Sequence, residues 1–236
     1  MSSRIGVDIG GTFTDFIFYD ETGKSVTIDK IPTTPSDPEI AVLDVVKRNL
    51  NKDQLSKVEF FLHGTTVGLN ALLERRGSKV GVICTKGYRD ILEIRRGDRD
   101  EMYNLFWQPP PPLVERYLRL EMDERVLANG KIYKDLEEQE VKKACEFFIS
   151  EGVTSVAVCL MNSYANQDHE NKIQELLIKY GFSGHISLSC IVSGEYREYE
   201  RTTTTIIDSF VKSRMSNYLN SLKDGLSKII LTCVKR

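Results

Sequence analysis

Apolar residues alternate at Ile5, Val7 and Ile9, the pattern of a strand with one buried face, and the alternation ends at the pair Gly10-Gly11. A second β-rich run, Phe13 to Tyr19, follows at once, so the two read as a hairpin with a glycine tip. Ser25 to Ile31 is a third strand after a turn around Glu21-Thr22-Gly23. Pro32, Pro35 and Pro38 break the extended run, and Ser36 or Asp37 caps a helix carrying Ile40, Ala41, Leu43, Val45 and Val46. Val58 to Leu62 is a short strand, Thr65 or Thr66 caps a helix running to Arg75 with Gly77 beyond its end, and Val80 to Cys84 is another strand.

Three hairpin-connected strands followed by strand-helix-strand crossovers predict an α/β fold: a mixed sheet with an antiparallel edge and parallel strands, with helices on both faces. From Gly87 to about Arg125 the pattern is irregular, and Pro109 to Pro112 form a rigid spacer, so this stretch reads as an inserted loop or lid. Beyond it Asp135 caps a helix ending at Gly152, and Val153 to Leu160 is a near-continuous apolar strand. Asp168 caps an amphipathic helix stopping at Gly181, and Ile186 to Val192 returns as a strand. Ser209 to Leu222 is a final helix, and the residues from Leu226 begin like a further strand. The expected organisation is a phosphate-binding core over 1–86, an irregular insertion over 87–134, a second αβ unit over 135–208 and the truncated start of a following domain over 209–236.

A chain of 236 residues supports one large domain, or one and a half. Its 32 Lys and Arg against 34 Asp and Glu leave a net charge of −2, which is no footprint for nucleic acid or an anionic membrane. No apolar run approaches the ~20 residues of a membrane span, and no signal region precedes the first strand, so a cytoplasmic location is expected. Five cysteines (84, 145, 159, 190 and 233) without a C-x-x-C pair read as reduced thiols. The histidines at 63, 169 and 185 are scattered, so neither Cys nor His predicts a metal site.

The most informative stretch is Asp8-Ile9-Gly10-Gly11-Thr12-Phe13-Thr14-Asp15 at the first hairpin tip. Two glycines let the backbone approach a ligand closely and aim several amides in one direction, as phosphate oxygens require, and Thr12 and Thr14 add hydroxyl donors. Asp8 opposes a bare anion, since two unit charges about 4 Å apart repel by about 4 kcal/mol at an effective dielectric of 20. A Mg2+ ion with its waters between Asp8 and the phosphates removes the conflict. The competing reading is that the glycines only shape a tight turn.

His63-Gly64-Thr65-Thr66 is the second candidate, at the carboxyl end of a predicted parallel strand where open α/β sheets place ligands. His63 reads either as a site residue or as a hydrogen-bonded structural histidine. Glu195 to Thr203 alternates charge at helical spacing, a salt-bridged helix start or an interface, and Arg95-Arg96-Gly97-Asp98-Arg99 reads as an active-site loop or as exposed charge.

The strand order is similar to the ribonuclease-H-like core of actin, Hsp70-type chaperones and sugar kinases. Arg4 to Asp15, His63 to Thr66 with Asn70 to Gly77, Gly87 to Ile94, Val156 to Leu160 and Arg197 to Thr202 together closely resemble the N-terminal region of the hydantoinase A/oxoprolinase family. The resemblance implies a hydrolase that uses ATP and Mg2+ to open a cyclic amide such as hydantoin, N-methylhydantoin or 5-oxoproline, by phosphorylating the amide oxygen and so making its carbon electrophilic. It assigns Asp8, Gly10, Gly11, Thr12, Thr14 and Asp15 to a first phosphate motif, and His63, Thr65 and Thr66 to a second. Asp8 is then the metal residue, and Asp8 and His63 the catalytic pair. A hydantoinase B-like second subunit is the implied partner. The same family includes subunits of ATP-dependent ketone carboxylases, the alternative reading, and a third is an inactive interaction fragment. Only one Gly-Gly pair is present where a cleft between two related subdomains needs two hairpins, so little ATPase activity is expected of this chain alone.

Overall fold

The structure is a computed structural model that describes residues 3–34, 36–97 and 99–234, with the side chains of 230–234 excepted. Pro35, Asp98 and the Cys233 thiol, all named above, lie outside the described residues. The chain forms two compact units, one of residues up to Arg76 and from Arg214 on, the other Gly77–Ser213. No helix among the described residues is long and apolar enough to cross a membrane.

In the first unit β1 (Ser3–Ile9), β2 (Phe13–Asp20), β3 (Ser25–Pro32) and β4 (Val58–Thr65) form a sheet in the order β3-β2-β1-β4. The hairpin-connected strands are antiparallel, and β4 runs parallel to β1 after crossing over through α1 (Pro38–Asn49) and α2 (Lys52–Ser56). Alternation decides the faces. Ile5, Val7, Ile9, Phe16 and Phe18 point inward onto Val42, Val45 and Val46 of α1 and onto Tyr218 and Leu222. Each such side chain, withdrawn from water, contributes roughly 1.5–3 kcal/mol. The proline-started helix forms as expected, with Pro38 at its first position, where a missing N–H costs nothing.

Tyr218 and Leu222 belong to α8 (Glu198–Val234), which corrects the expectation of a strand after Leu226. Tyr218, Leu222, Leu226 and Ile229 recur at helical spacing and all reach the first core, so these residues pack with the first unit. Gly225 permits the approach of α1: a Cβ there would stand 2.4 Å from Leu43 Cδ1.

The second unit holds a fully parallel sheet, β10-β9-β5-β6, of β5 (Val80–Thr85), β6 (Arg119–Met122), β9 (Ser155–Cys159) and β10 (His185–Leu188). β5 and β9 are buried along their whole length, as continuous apolar runs require of strands covered on both faces. Among the covering elements are α5 (Glu138–Ser150) and α6 (Asp168–Lys179).

Two expected boundaries shift. The core drawn to residue 86 included Val80 to Cys84, but that strand lies in the second sheet. The reason is local: the Phe148 ring fills the space over Gly81, where a Cβ would stand 2.5 Å from Cε1, and the Thr154 amide donates to Lys79 O at 2.9 Å. The 87–134 segment is not wholly irregular. It supplies α4 (Ile91–Ile94), β6 and the small hairpin of β7 (Arg125–Val126) and β8 (Ile132–Lys134). Arg119 anchors it. Its buried guanidinium donates from Nε and Nη2 to Val114 O at 3.1 and 2.6 Å and pairs with Glu93, satisfying a charge that would otherwise be costly to bury. The strand expected over Ile186 to Val192 stops at Leu188 and turns into α7 (Ser189–Val192), because Ser189 Oγ and the Cys190 amide both donate to the Glu170 carboxylate.

Candidate functional site

The first hairpin turns at Gly10, whose amide donates to Phe13 O at 2.9 Å. That leaves the amides of Gly11 and Thr12 without a backbone acceptor among the described residues, at an exposed tip. The tip is braced from beneath. Thr33 donates through its amide to Thr12 O (2.9 Å) and through Oγ1 to Gly10 O (3.0 Å), and Thr14 Oγ1 lies 3.0 Å from Thr33 Oγ1. Thr14 is thus a fully buried strut and contributes no hydroxyl to the surface.

Asp8 lies two residues before the tip, on the solvent face of the sheet. Strand register sets Gly64, Asp8, Asp15 and Lys30 in one row across β4, β1, β2 and β3. Cross-strand neighbours have Cβ atoms about 5 Å apart, so the two expected carboxylates do come together. They are not equivalent. Asp15 Oδ1 is held by Lys30 Nζ at 2.9 Å, whereas Asp8 Oδ1 rests against Gly64, where a Cβ would approach it to 2.8 Å.

The second motif joins the first through Thr66. Its amide and Oγ1 both donate to Ile9 O, at 3.1 and 3.2 Å, and Asn70 Nδ2 donates back to Thr66 Oγ1 at 3.3 Å. This ties the start of α3 (Val67–Leu73) to the end of β1. The cap geometry differs from expectation, because Thr66 occupies the cap position without capping and Thr65 Oγ1 accepts from the Val67 amide at 3.2 Å. α3 also stops at Leu73, with Arg75 in the left-handed region at φ 52°. Gly10, Gly11, Thr12, Thr66 and Asn70 line one side of an open cleft of about 900 Å3, with Asn217 and Tyr218 on another.

His63 does not line that cleft. It is hydrogen-bonded through Nε2 to the Tyr218 hydroxyl, and its ring lies 5.5 Å from that of Tyr218. Burial holds its pKa below the ordinary histidine value, so it is neutral near pH 7. Of the expected residues, Gly10, Gly11, Thr12 and Thr66 face the cleft, Asp8 and Asp15 share the adjoining sheet face, and Thr14, Thr65 and His63 have structural hydrogen bonds. Sequence reading missed Thr33, whose role comes from a contact 23 residues away in the chain, and named Asn70 only within the family resemblance, without its bond to Thr66 one helical turn before it.

The arrangement suits a magnesium-nucleotide. Among the described residues no three His, Cys, Asp or Glu side chains cluster as a metal cage. A single uncommitted carboxylate beside free amides is instead the donor set for Mg2+, which keeps its waters and takes most ligands from phosphate. Asp8 would hold the ion or its water, and the Gly11 and Thr12 amides would face the phosphate oxygens.

A mixed sheet opening with this hairpin, with its helices, makes the chain an α/β protein of the ribonuclease-H-like class shared with actin and Hsp70. The description "Hydantoinase/oxoprolinase N-terminal region" matches residues 4–181, and the chain belongs to that family. It is 33% identical over 232 residues to the caprolactamase subunit alpha of Pseudomonas jessenii, covering 93% of this chain and 32% of that one. It is 32% identical over 243 residues to the acetophenone carboxylase gamma subunit of Aromatoleum aromaticum, covering 95% of this chain and 33% of the other. The crystal structure of the ATP-dependent caprolactamase from Pseudomonas jessenii superposes with a TM-score of 0.85 at 31% identity, covering 96% of this chain and 34% of that chain. The chain thus spans about a third of the length of these relatives.

Proposed function

We propose that this chain is the N-terminal, phosphate-holding portion of an ATP- and Mg2+-dependent hydrolase that opens cyclic amides of the hydantoin, 5-oxoproline or lactam type. The observation that carries the proposal is the hairpin tip: two exposed amides with no backbone acceptor among the described residues, beside an exposed Asp8 whose partner position, Gly64, has no side chain. Similarity to a caprolactamase subunit supports the amide, and the name ATP-dependent supports the nucleotide. The tip supplies amide hydrogens to phosphate oxygens, Asp8 orients the metal, and Thr66 and Thr33 keep the tip from shifting as charge moves. The magnesium neutralises charge on the transferring phosphoryl group when bound. Asp15, already paired to Lys30, tunes the field at Asp8 and is not a metal ligand, and His63 positions Tyr218.

Both named relatives are subunits, which supports assembly with a second, hydantoinase B-like subunit in the cytoplasm. Similarity to the acetophenone carboxylase gamma subunit favours one alternative, a component of a ketone carboxylase. Isothermal titration of the chain with Mg-ATP, repeated on Asp8→Asn, tests the nucleotide reading. Binding that weakens at least about tenfold in the variant supports it, and identical isotherms would refute it. Amide- against ketone-dependent ATP hydrolysis in the complete assembly separates the two substrate classes.

A further inference from the structure

The second unit contains a different ligand-site geometry at the carboxyl edge of its sheet. β5 and β9 are neighbours whose outgoing connections diverge, from β5 to β6 on one side and from β9 to β10 on the other. In open parallel sheets this switch point is where ligands lodge. In the last registered pair of these strands, Cys84 and Cys159 stand opposite each other. Over them a small crevice is closed by Tyr88 and Ile91 from the loop after β5 and by Glu198 and Arg201 from the first turns of α8.

The charged groups there are a donor, Arg201, and an acceptor, Glu198. Arg201 is buried and donates from Nε to Ser189 Oγ (3.2 Å), from Nη1 to Glu195 O (2.6 Å) and from Nη2 to Leu160 O (2.9 Å). Five N–H groups minus these three leave two hydrogens. The Glu198 carboxylate accepts no hydrogen bond among the described residues, and its only charge partner there is the nearby Arg96 of the covering segment, which departs when that segment lifts. The remaining walls are the Cys84 and Cys159 thiols, the Tyr88 ring, Ile91, the Met161 thioether and Thr202.

As it stands the crevice offers about 10 Å3, room for one water at most. A ring the size of benzene needs a cavity of about 150 Å3. The covering segment has the joints to provide it. Gly87 (φ 91°) and Gly97 (φ 75°) bracket Tyr88 and Ile91, and neither has an atom within 4 Å of where a Cβ would be. Two of the fastenings, Asp90 to Arg116 and Arg96 to Glu200, are exposed ion pairs of the kind that break readily, and lifting also parts the half-exposed Glu93 from buried Arg119, which keeps its two bonds to Val114 O.

Resting on the cyclic-amide reading above, we propose that this crevice binds the ring of a neutral cyclic amide after the Gly87–Gly97 segment lifts, with the ring carbons against Cys84, Cys159 and Ile91, the amide oxygen accepting from Arg201 and the amide N–H donating to Glu198. The free carboxylate of Glu198 disfavours rings that carry their own carboxylate. Hydantoin and ε-caprolactam are therefore preferred over 5-oxoproline.

The test is alkylation of the protein by N-ethylmaleimide, read at each cysteine by peptide mass spectrometry. With ε-caprolactam or hydantoin at about ten times its dissociation constant, Cys84 and Cys159 are expected to react about tenfold more slowly while Cys145 is unaffected. Glu198→Leu, a change at a half-buried position that leaves the Arg201 bonds alone, is expected to abolish the protection. The assignment is overturned if Cys84 and Cys159 never react, if protection is absent or extends to Cys145, if Glu198→Leu keeps it, or if 5-oxoproline protects equally. Ring opening by the complete assembly without protection at these thiols would sink the crevice alone. Protection without Mg-ATP binding at the hairpin would sink the nucleotide reading alone.

Discussion

Asp8 Oδ1 lies so near the α-carbon of Gly64 that a methyl group there would stand 2.8 Å away, closer than Cβ atoms approach such neighbours. The contact is to the mobile end of an exposed side chain, so Gly64→Ala is relieved by turning the carboxylate aside. In a strand, alanine also restrains the unfolded chain more than glycine does. The expected outcome is a stability within about 1 kcal/mol of the parent and a Mg-ATP affinity reduced at least about tenfold. Thermal unfolding and titration calorimetry on the same preparation check the two halves. A variant that unfolds early, or one that binds normally, contradicts the relationship.

His63 and Tyr218 bound the pH range of the first unit from both sides. Burial lowers the His63 pKa from its ordinary 6.5, so as pH falls through 6.5 the unfolded chain takes up a proton that the folded chain refuses, and stability declines. Tyr218 is shifted upward from 10, first by burial and then by the charge of Glu39. Above pH 10 the unfolded phenol ionises while the folded one does not, and stability declines again. Urea midpoints across this range are expected to show both limbs. His63→Gln flattens the acid limb and Tyr218→Phe the alkaline one, each lowering the plateau by about 1 kcal/mol for the lost hydrogen bond.

How far the sequence carries is visible at particular positions. The alternation at Ile5, Val7 and Ile9 predicts β1 and its buried face because a half-covered strand has a period that composition cannot hide. Pro38 predicts the start of α1 for an equally local reason. Val80 to Cys84 predicts a strand but not its sheet, since a run buried on both faces does not say which neighbours bury it. Gly81 against Phe148 decides that, across a sequence separation of 67. At the site, Gly10, Gly11 and Thr12 are legible because the turn itself is the function. Thr14 misleads, because its hydroxyl is turned inward to a threonine 19 residues away. In the sequence His63 is open between two roles, and only the position of Tyr218 favours one.

The Gly81 contact gives a stability prediction of the opposite kind to that at Gly64. A Cβ at 81 would lie 2.5 Å from Phe148 Cε1, and this ring is completely buried. It has no solvent to turn into. Gly81→Ala is expected to destabilise the second unit by about 1–3 kcal/mol through overpacking. Phe148→Leu in the same chain is expected to recover part of that loss, so the double variant is more stable than the sum of the single changes allows. Strict additivity in denaturant unfolding would show that strand and ring do not meet.

Glu170 is the buried charge on which the turn from β10 into α7 depends. Its carboxylate accepts from the Leu160 amide (2.9 Å), the Cys190 amide (2.9 Å) and Ser189 Oγ (2.6 Å), and Ser189 Oγ in turn accepts from Arg201 Nε at 3.2 Å. The donors come from the end of β9, from α7 and, through the serine, from α8, so one carboxylate holds three elements. Glu170→Ala strands the Leu160 and Cys190 amides and frees the Ser189 hydroxyl, an expected loss of about 1–3 kcal/mol for each buried amide left without a partner. Glu170→Gln keeps the shape but turns an NH2 group toward a row of donors, for about 1–3 kcal/mol. Ser189→Ala removes only the relay, at about 1 kcal/mol. The ranking is the informative part. Chemical denaturation in which the glutamine variant matches the parent would mean that hydrogen-bonding shape alone suffices there, and that the negative charge contributes nothing to this turn.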